Sequence, residues 1–216
     1  MKPSKADLML QAHAPIVTVP VYGEFEELNK TGHRFLLARD GLWLEARNPW
    51  VYVRWPIAQC RKVPIPAGEL AKSVVLAFDR APADLLNRFI LMARDACPNE
   101  IGAVVVWNED HDEFELVATR TIKAGIGHLK YERQETADRE HVVMDLHSHG
   151  PLKAYFSKVD VADTGSEVVI AVVVGNLEKA VEVKVCLFAC GMQIPVEWPV
   201  MEMAEGGMLE EAWAGA

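Results

Sequence analysis

Four apolar runs of seven or eight residues, at 100–107 (EIGAVVVW), 141–147 (HVVMDLH), 167–174 (EVVIAVVV) and 181–188 (VEVKVCLF), set the tightest limit on what this chain can fold into. Each is rich in β-branched residues and bounded by polar or turn-forming residues, so each is predicted to be a buried strand. A fifth strand at 114–122 (FELVATRTI), after the acidic loop 108–113 (NEDHDE), is the expected hairpin partner of the first. Ahead of them, 81–97 (APADLLNRFILMARDAC) puts apolar residues at 85, 86, 89, 93 and 96 on one helical face. Pro82 lies near its first turn and Pro98 just past its end. One amphipathic helix followed by buried strands predicts an α/β (α+β) domain.

The N-terminal third has a different pattern. Between 33 and 57 the chain reads as short strands separated by the turn pairs Asp40-Gly41 and Asn48-Pro49, which predicts an antiparallel meander. Trp43, Trp50 and Trp55 fall in it, either as its core or as an exposed recognition surface. The Pro/Gly-rich stretch 63–70 (VPIPAGEL) is a plausible boundary. The expected organisation is therefore a β-rich module at 1–70, a main domain at 71–200 and an acidic tail at 201–216. The polar stretch 123–140 (KAGIGHLKYERQETADRE) is expected to be a solvated connection ahead of the histidine strand.

Composition excludes several classes of partner. A formal net charge of -9 repels phosphate backbones and anionic lipid surfaces, so neither nucleic acid nor membrane is expected. The longest apolar run, 168–174, is far short of the roughly 20 residues that span a bilayer, and the first ten residues lack the apolar core of a signal peptide. A cytoplasmic location is expected. Cys186 and Cys190 lie about 13 Å apart along an extended strand, beyond disulfide reach, and read as ordinary strand residues.

Chemistry concentrates in 140–165, EHVVMDLHSHGPLKAYFSKVDVADTG. On a strand, His147 and His149 project to the same side and can turn their imidazoles to one point. Gly150-Pro151 ends the ladder, and the helix expected from about Ser157 brings Asp160 back towards the strand end. Two imidazoles and one carboxylate hold a zinc ion with one position left for water, the arrangement of a catalytic site. A hydrolase also needs a group that takes up the proton of the attacking water. Glu100 is the candidate, because a charge at the start of an apolar strand has no structural reason; a connector facing solvent is the alternative. Ser157 can donate to the oxyanion of a tetrahedral intermediate, or it can be the helix N-cap.

Glu100, His147-Ser148-His149, seven residues, Ser157, two residues and Asp160 together resemble the signature of the JAB/MPN metalloprotease family. The string HSHGPLKAYFSKVD looks like a bacterial branch of that family, the one found in PRTRC cassettes beside proteins similar to ubiquitin-activating enzymes and ubiquitin-like proteins. The resemblance covers about 81–198. It implies a curved mixed sheet flanked by helices, one zinc ion per chain on His147, His149 and Asp160, acid/base work by Glu100 and oxyanion help from Ser157. It further implies hydrolysis of a peptide or isopeptide bond at the C-terminus of a ubiquitin-like protein, with an E1-like activating enzyme as a second partner.

Gly150 stands where many eukaryotic members have proline, a difference expected to alter the loop rim while leaving metal binding intact. Glu113, Glu115 and Glu140 also precede the histidines, but only Glu100 joins a helix to the apolar strand the family calls for. Asp163 rivals Asp160 as ligand, and serine spacing favours Asp160. Asp145 shares strand parity with His147 and is either its hydrogen-bond partner or an ordinary strand carboxylate. His13, His33, His111, His128 and His141 have no comparable setting. A non-catalytic MPN scaffold and a hydrolase of sulfur-carrier or cysteine conjugates are the alternative functions; the intact ligand set favours the peptidase.

Overall fold

The computed structural model describes residues 2–60, 62–78, 81, 83–165, 167–196, 202–203 and 209–210. They fall into two compact units that divide between Asp79 and Arg80.

In the first unit, helix α1 (Lys5–His13) precedes a five-stranded sheet of β1 (Ile16–Thr18), β2 (Gly32–Ala38), β3 (Gly41–Arg47), β4 (Val51–Gln59) and β5 (Ser73–Leu76), ordered as in the chain. The meander β2–β3–β4 turns at Asp40-Gly41 and Asn48-Pro49 as the turn pairs predict. Helix α1 and strands β1 and β5 are additional to the sequence reading; the two strands have three and four residues, too few for alternation to register. The boundary placed at 70 is corrected to 79, because β5 pairs with β4 through Val51–Leu76 to Arg54–Ser73 and so belongs to the first sheet.

Trp43 and Trp50 are buried; Trp43 lies in a core with Val19, Leu36 and Ala38, and Trp50 stacks on Phe78. Trp55 is half-buried with the Lys72 ammonium over its ring. Core packing, and not a recognition face, is thus what Trp43 and Trp50 supply. Each such side chain contributes upwards of about 2 kcal/mol by burial.

The second unit begins with α2 (Ala83–Ala96), which buries Leu85, Leu86, Phe89, Ile90 and Ala93 on the face its periodicity predicts. Pro82 lies outside the described residues. Strands β6 (Gly102–Asn108), β7 (Glu113–Ala118), β10 (Glu140–Ser148), β11 (Val168–Gly175), β12 (Glu182–Ala189) and β13 (Met192–Ile194) form one sheet in the order β13-β12-β11-β10-β6-β7. This is a mixed sheet: β10 runs parallel to β11 and antiparallel to β6. A parallel pair needs a crossover, and here it is residues 149–167, carrying helix α3 (Lys158–Thr164). That crossover is the histidine, serine and aspartate window.

The solvated connection expected at 123–140 is corrected in its first half. Strands β8 (Arg120–Gly125) and β9 (His128–Glu132) form a two-stranded hairpin there. Its charged, outward-facing residues mask the alternation: besides Gly125, only Leu129, Tyr131 and Arg133 turn a half-buried face inward. Cys190 lies beyond the end of β12, in the turn before β13, and not within a continuous strand. Most of 201–216 lies outside the described residues, and Glu202–Met203 pairs with Leu209–Glu210. Among the described residues no helix is long and apolar enough to cross a membrane.

Candidate metal centre

Strand β10 enters the site between two neighbours, with His147 opposite Gly102 of β6 and Val173 of β11. Beyond the assigned strand end the His149 N–H still donates to the Val174 carbonyl at 2.7 Å, which keeps the backbone extended and puts both imidazoles on one side. Ser148 between them is buried on the opposite face. Its N–H donates to the Ile101 carbonyl and its hydroxyl accepts from the Ile101 N–H, both at 3.0 Å. These two bonds fasten the residue after Glu100 to the residue between the histidines. Gly150, at φ +55°, makes the exit turn, and a Cβ there would stand 2.7 Å from the Pro98 carbonyl oxygen. Glycine is required at this position, which accounts for the departure from the family pattern.

Helix α3 is closed by a capping box. The Asp160 N–H donates to the Ser157 hydroxyl at 3.2 Å, and the Ser157 N–H donates to Asp160 Oδ2 at 2.6 Å. Asp160 is therefore both the third residue of the box and the carboxylate aimed at the histidines. Ser157 is the N-cap, and its hydroxyl hydrogen is still available to a further acceptor.

His147 Nε2 lies 3.2 Å from His149 Nε2 and 3.6 Å from Asp160 Oδ1, and His149 Nε2 lies 4.0 Å from Asp160 Oδ2. Ligand bonds of 2.0–2.2 Å in a tetrahedron separate the donor atoms by about 3.3 Å, so these spacings fit a zinc ion with small adjustments. The ligand set also has its orienting partner. His149 Nδ1 is 3.0 Å from the Lys153 carbonyl, which can only accept, so Nδ1 carries the proton and Nε2 presents its lone pair to the shared point. Tyr155 packs edge-on against the same ring. Burial lowers the His149 pKa and keeps it in the neutral, ligating form. Burial opposes ionisation of Asp160, but His147 and the Ser157 N–H outweigh it and hold the carboxyl well below the usual carboxylate range.

Glu100 lies in the turn between α2 and β6 and is only 4% exposed. It is not the solvent-facing connector of the alternative reading. Burial pushes its pKa up, with His147 and Asp160 both within electrostatic reach of the carboxyl. Glu113 and Glu115 are exposed on β7, and Glu140 accepts from the Ala137 N–H. Asp145 does not orient His147; it pairs with Tyr131 and Arg133. The Asp163 side chain lies outside the described ones. Of the remaining histidines, His141 bonds Glu109.

Residues 82–187 match the prokaryotic homologs of the JAB domain. This domain belongs to the JAB/MPN family. Residues 4–77, corresponding to the first unit, match a domain of unknown function, DUF2016. A search of curated proteins finds no match. JAB domains include metalloproteases and non-catalytic members, and the family often binds zinc. In this JAB domain His147, His149 and Asp160 are the described group of three whose ligand atoms can hold one metal ion, all within 4.8 Å of one another.

Three contributors to the JAB site escaped the sequence reading. Ser148 gave a signal, a polar residue of opposite parity inside a buried strand. The Lys153 carbonyl and the Tyr155 ring gave none, since their roles come from the path of the loop. Ser157→Ala is expected to lower stability by about 1 kcal/mol through loss of the cap, and to weaken zinc binding about tenfold by freeing Asp160. Thermal melting and a zinc titration read the two effects separately.

Proposed function

We propose that the chain is a zinc-dependent (iso)peptidase that cleaves the bond following the C-terminus of a ubiquitin-like protein. The observation that carries this reading is the buried Glu100 carboxyl within electrostatic reach of His147 and Asp160. Burying a carboxyl with a raised pKa costs stability, and such costs cluster where chemistry uses the group, which favours an enzyme over a scaffold. His147, His149 and Asp160 would hold the ion. When bound, zinc supplies Lewis acidity, which brings the ionisation of a water ligand close to neutral pH.

The chain's own residues supply the remainder. Glu100, buried and hard to ionise, is suited to take up the proton of the attacking water and deliver it to the leaving amine. The Ser157 hydroxyl, with its hydrogen free, donates to the carbonyl oxygen as charge develops there. Burial favours the neutral form of His149, and His147 with the Ser157 N–H favours the ionised form of Asp160, the forms in which each can ligate. The ubiquitin-like substrate, and an E1-like enzyme that would conjugate it, are proposed on the resemblance of HSHGPLKAYFSKVD to the PRTRC branch.

The test is cleavage of a ubiquitin-like protein carrying a peptide or isopeptide extension after its terminal glycine. Turnover is expected, with loss on chelation and recovery on adding one equivalent of zinc. Tight binding of that protein without cleavage by the zinc-loaded chain would overturn the enzyme reading.

A further inference from the structure

The β8–β9 hairpin is not part of the main sheet, and a two-stranded hairpin by itself is marginal in water. Its hold on the domain comes from contacts at its base and its tip. At the base, the Tyr131 hydroxyl donates to Asp145 Oδ1 at 2.6 Å, and Arg133 bridges Asp145 Oδ2 and Glu167, the latter at 2.6 Å. Asp145 is 7% exposed and sits on β10 two residues before His147. Midway, Gly102 lets the hairpin lie close. A Cβ there would stand 2.9 Å from Thr119 Oγ1 and 3.3 to 3.4 Å from the Tyr131 and Leu129 side chains. Gly102 is also the residue opposite His147.

The tip ends on Glu100. The Glu100 N–H donates to the Gly125 carbonyl at 3.3 Å, and the Gly127 backbone favours the ionised form of the Glu100 carboxyl. One end of the hairpin is thus tied to the strand of the histidines and the other to the backbone of Glu100. We infer that Tyr131, Arg133 and Asp145 are positioning residues that clamp the β8–β9 hairpin so that its tip holds Glu100 in place beside His147, His149 and Asp160. This rests on the peptidase reading for its effect on turnover, while the mechanical link from base to tip stands apart from it.

The physical argument is one of lever and anchor. Glu100 sits in a turn, where no helix or strand ladder of its own fixes the carboxyl. Its backbone is held on one side by Ser148 through Ile101 and on the other by the hairpin tip at the Gly125 carbonyl, so the tip sets where the carboxyl starts from. A hairpin that buries little apolar surface keeps its place through polar bonds, so loosening the base frees the tip. Small displacements of an acid/base group cost large factors in rate, up to about a hundredfold per ångström.

Tyr131→Phe removes one bond and leaves the ring on Gly102; Arg133→Gln removes the charge; Arg133→Lys restores it. Each is made in the full zinc-loaded chain, with backbone amide exchange followed at 125–128. Exchange at the tip is expected to quicken about tenfold in Tyr131→Phe and Arg133→Gln, and to return towards the parent rate in Arg133→Lys. Zinc content should remain one per chain, and kcat should fall about tenfold with KM nearly unchanged. Unchanged tip exchange in both variants overturns the clamp, whether or not the chain is active. Quickened exchange with an unchanged kcat in an active chain overturns the positioning role. Absence of turnover in the parent chain sinks the peptidase reading alone, and tip exchange still decides the clamp.

Discussion

Glu100→Gln is expected to keep one zinc ion per chain and lose about a thousandfold in turnover, within the range that a positioned acid/base group contributes. Glutamine has nearly the same shape, and Glu100 is outside the group of ligating atoms, so the metal should stay. What disappears is the capacity to accept and return a proton. Metal analysis and kcat on the same preparation separate these outcomes, and undiminished cleavage would transfer the role to another carboxylate.

The same variant carries a stability prediction of opposite sign. Burial raises the folded-state pKa of Glu100 above its unfolded value. The associated stabilisation is complete below the unfolded pKa and is lost as pH rises through the folded one, where the buried carboxyl must ionise. Glutamine has no such ionisation. In metal-free protein near neutral pH, Glu100→Gln should therefore melt higher than the parent by about 3 °C, an increase that should vanish in acid. A melting temperature lower than the parent's at neutral pH would contradict the assigned burial of the charge.

Removal of a ligand should have the other large effect. His149→Ala and Asp160→Ala each leave two donors of the described three, and zinc affinity is expected to fall by more than about a hundredfold, beyond what losing a supporting partner does. Zinc binding stabilises the folded chain by mass action, about 2.7 kcal/mol at a hundredfold excess over Kd, so the parent should melt higher when zinc is added. Both variants should lose that shift. Asp160→Ala should also melt lower without metal, since it removes half of the capping box on α3. A normal zinc-induced shift in both variants would defeat the assignment of the centre.

Much of the second unit was legible because its signals are local and periodic. The face of α2 follows from its 3.6-residue period, the four buried runs from their length and β-branched content, and the shared side of His147 and His149 from strand parity. The offset from Ser157 to Asp160 is likewise a local quantity, since a capping box spans three residues. What misled was composition. The charged stretch 123–140 reads as solvated, yet its first half pairs into β8–β9, because a strand with one exposed face and only three inward residues carries little apolar signal. Residues 73–76 fall on the wrong side of the expected boundary for a similar reason: a four-residue strand is too short to announce itself or its partner.

The sequence by itself determined the residue types, their parity on β10 and the fixed offsets that let two imidazoles and a carboxylate share one face, because these depend on backbone periods over a few residues. Only the tertiary structure decided that β10 lies between β6 and β11, that Ser148 fastens Ile101 and hence Glu100 beside the histidines, and that Asp145 serves the hairpin and not His147. Those relations join residues 12 to 47 positions apart. They are set by which strand pairs with which and by what a buried charge can find to bond, and no local period encodes either.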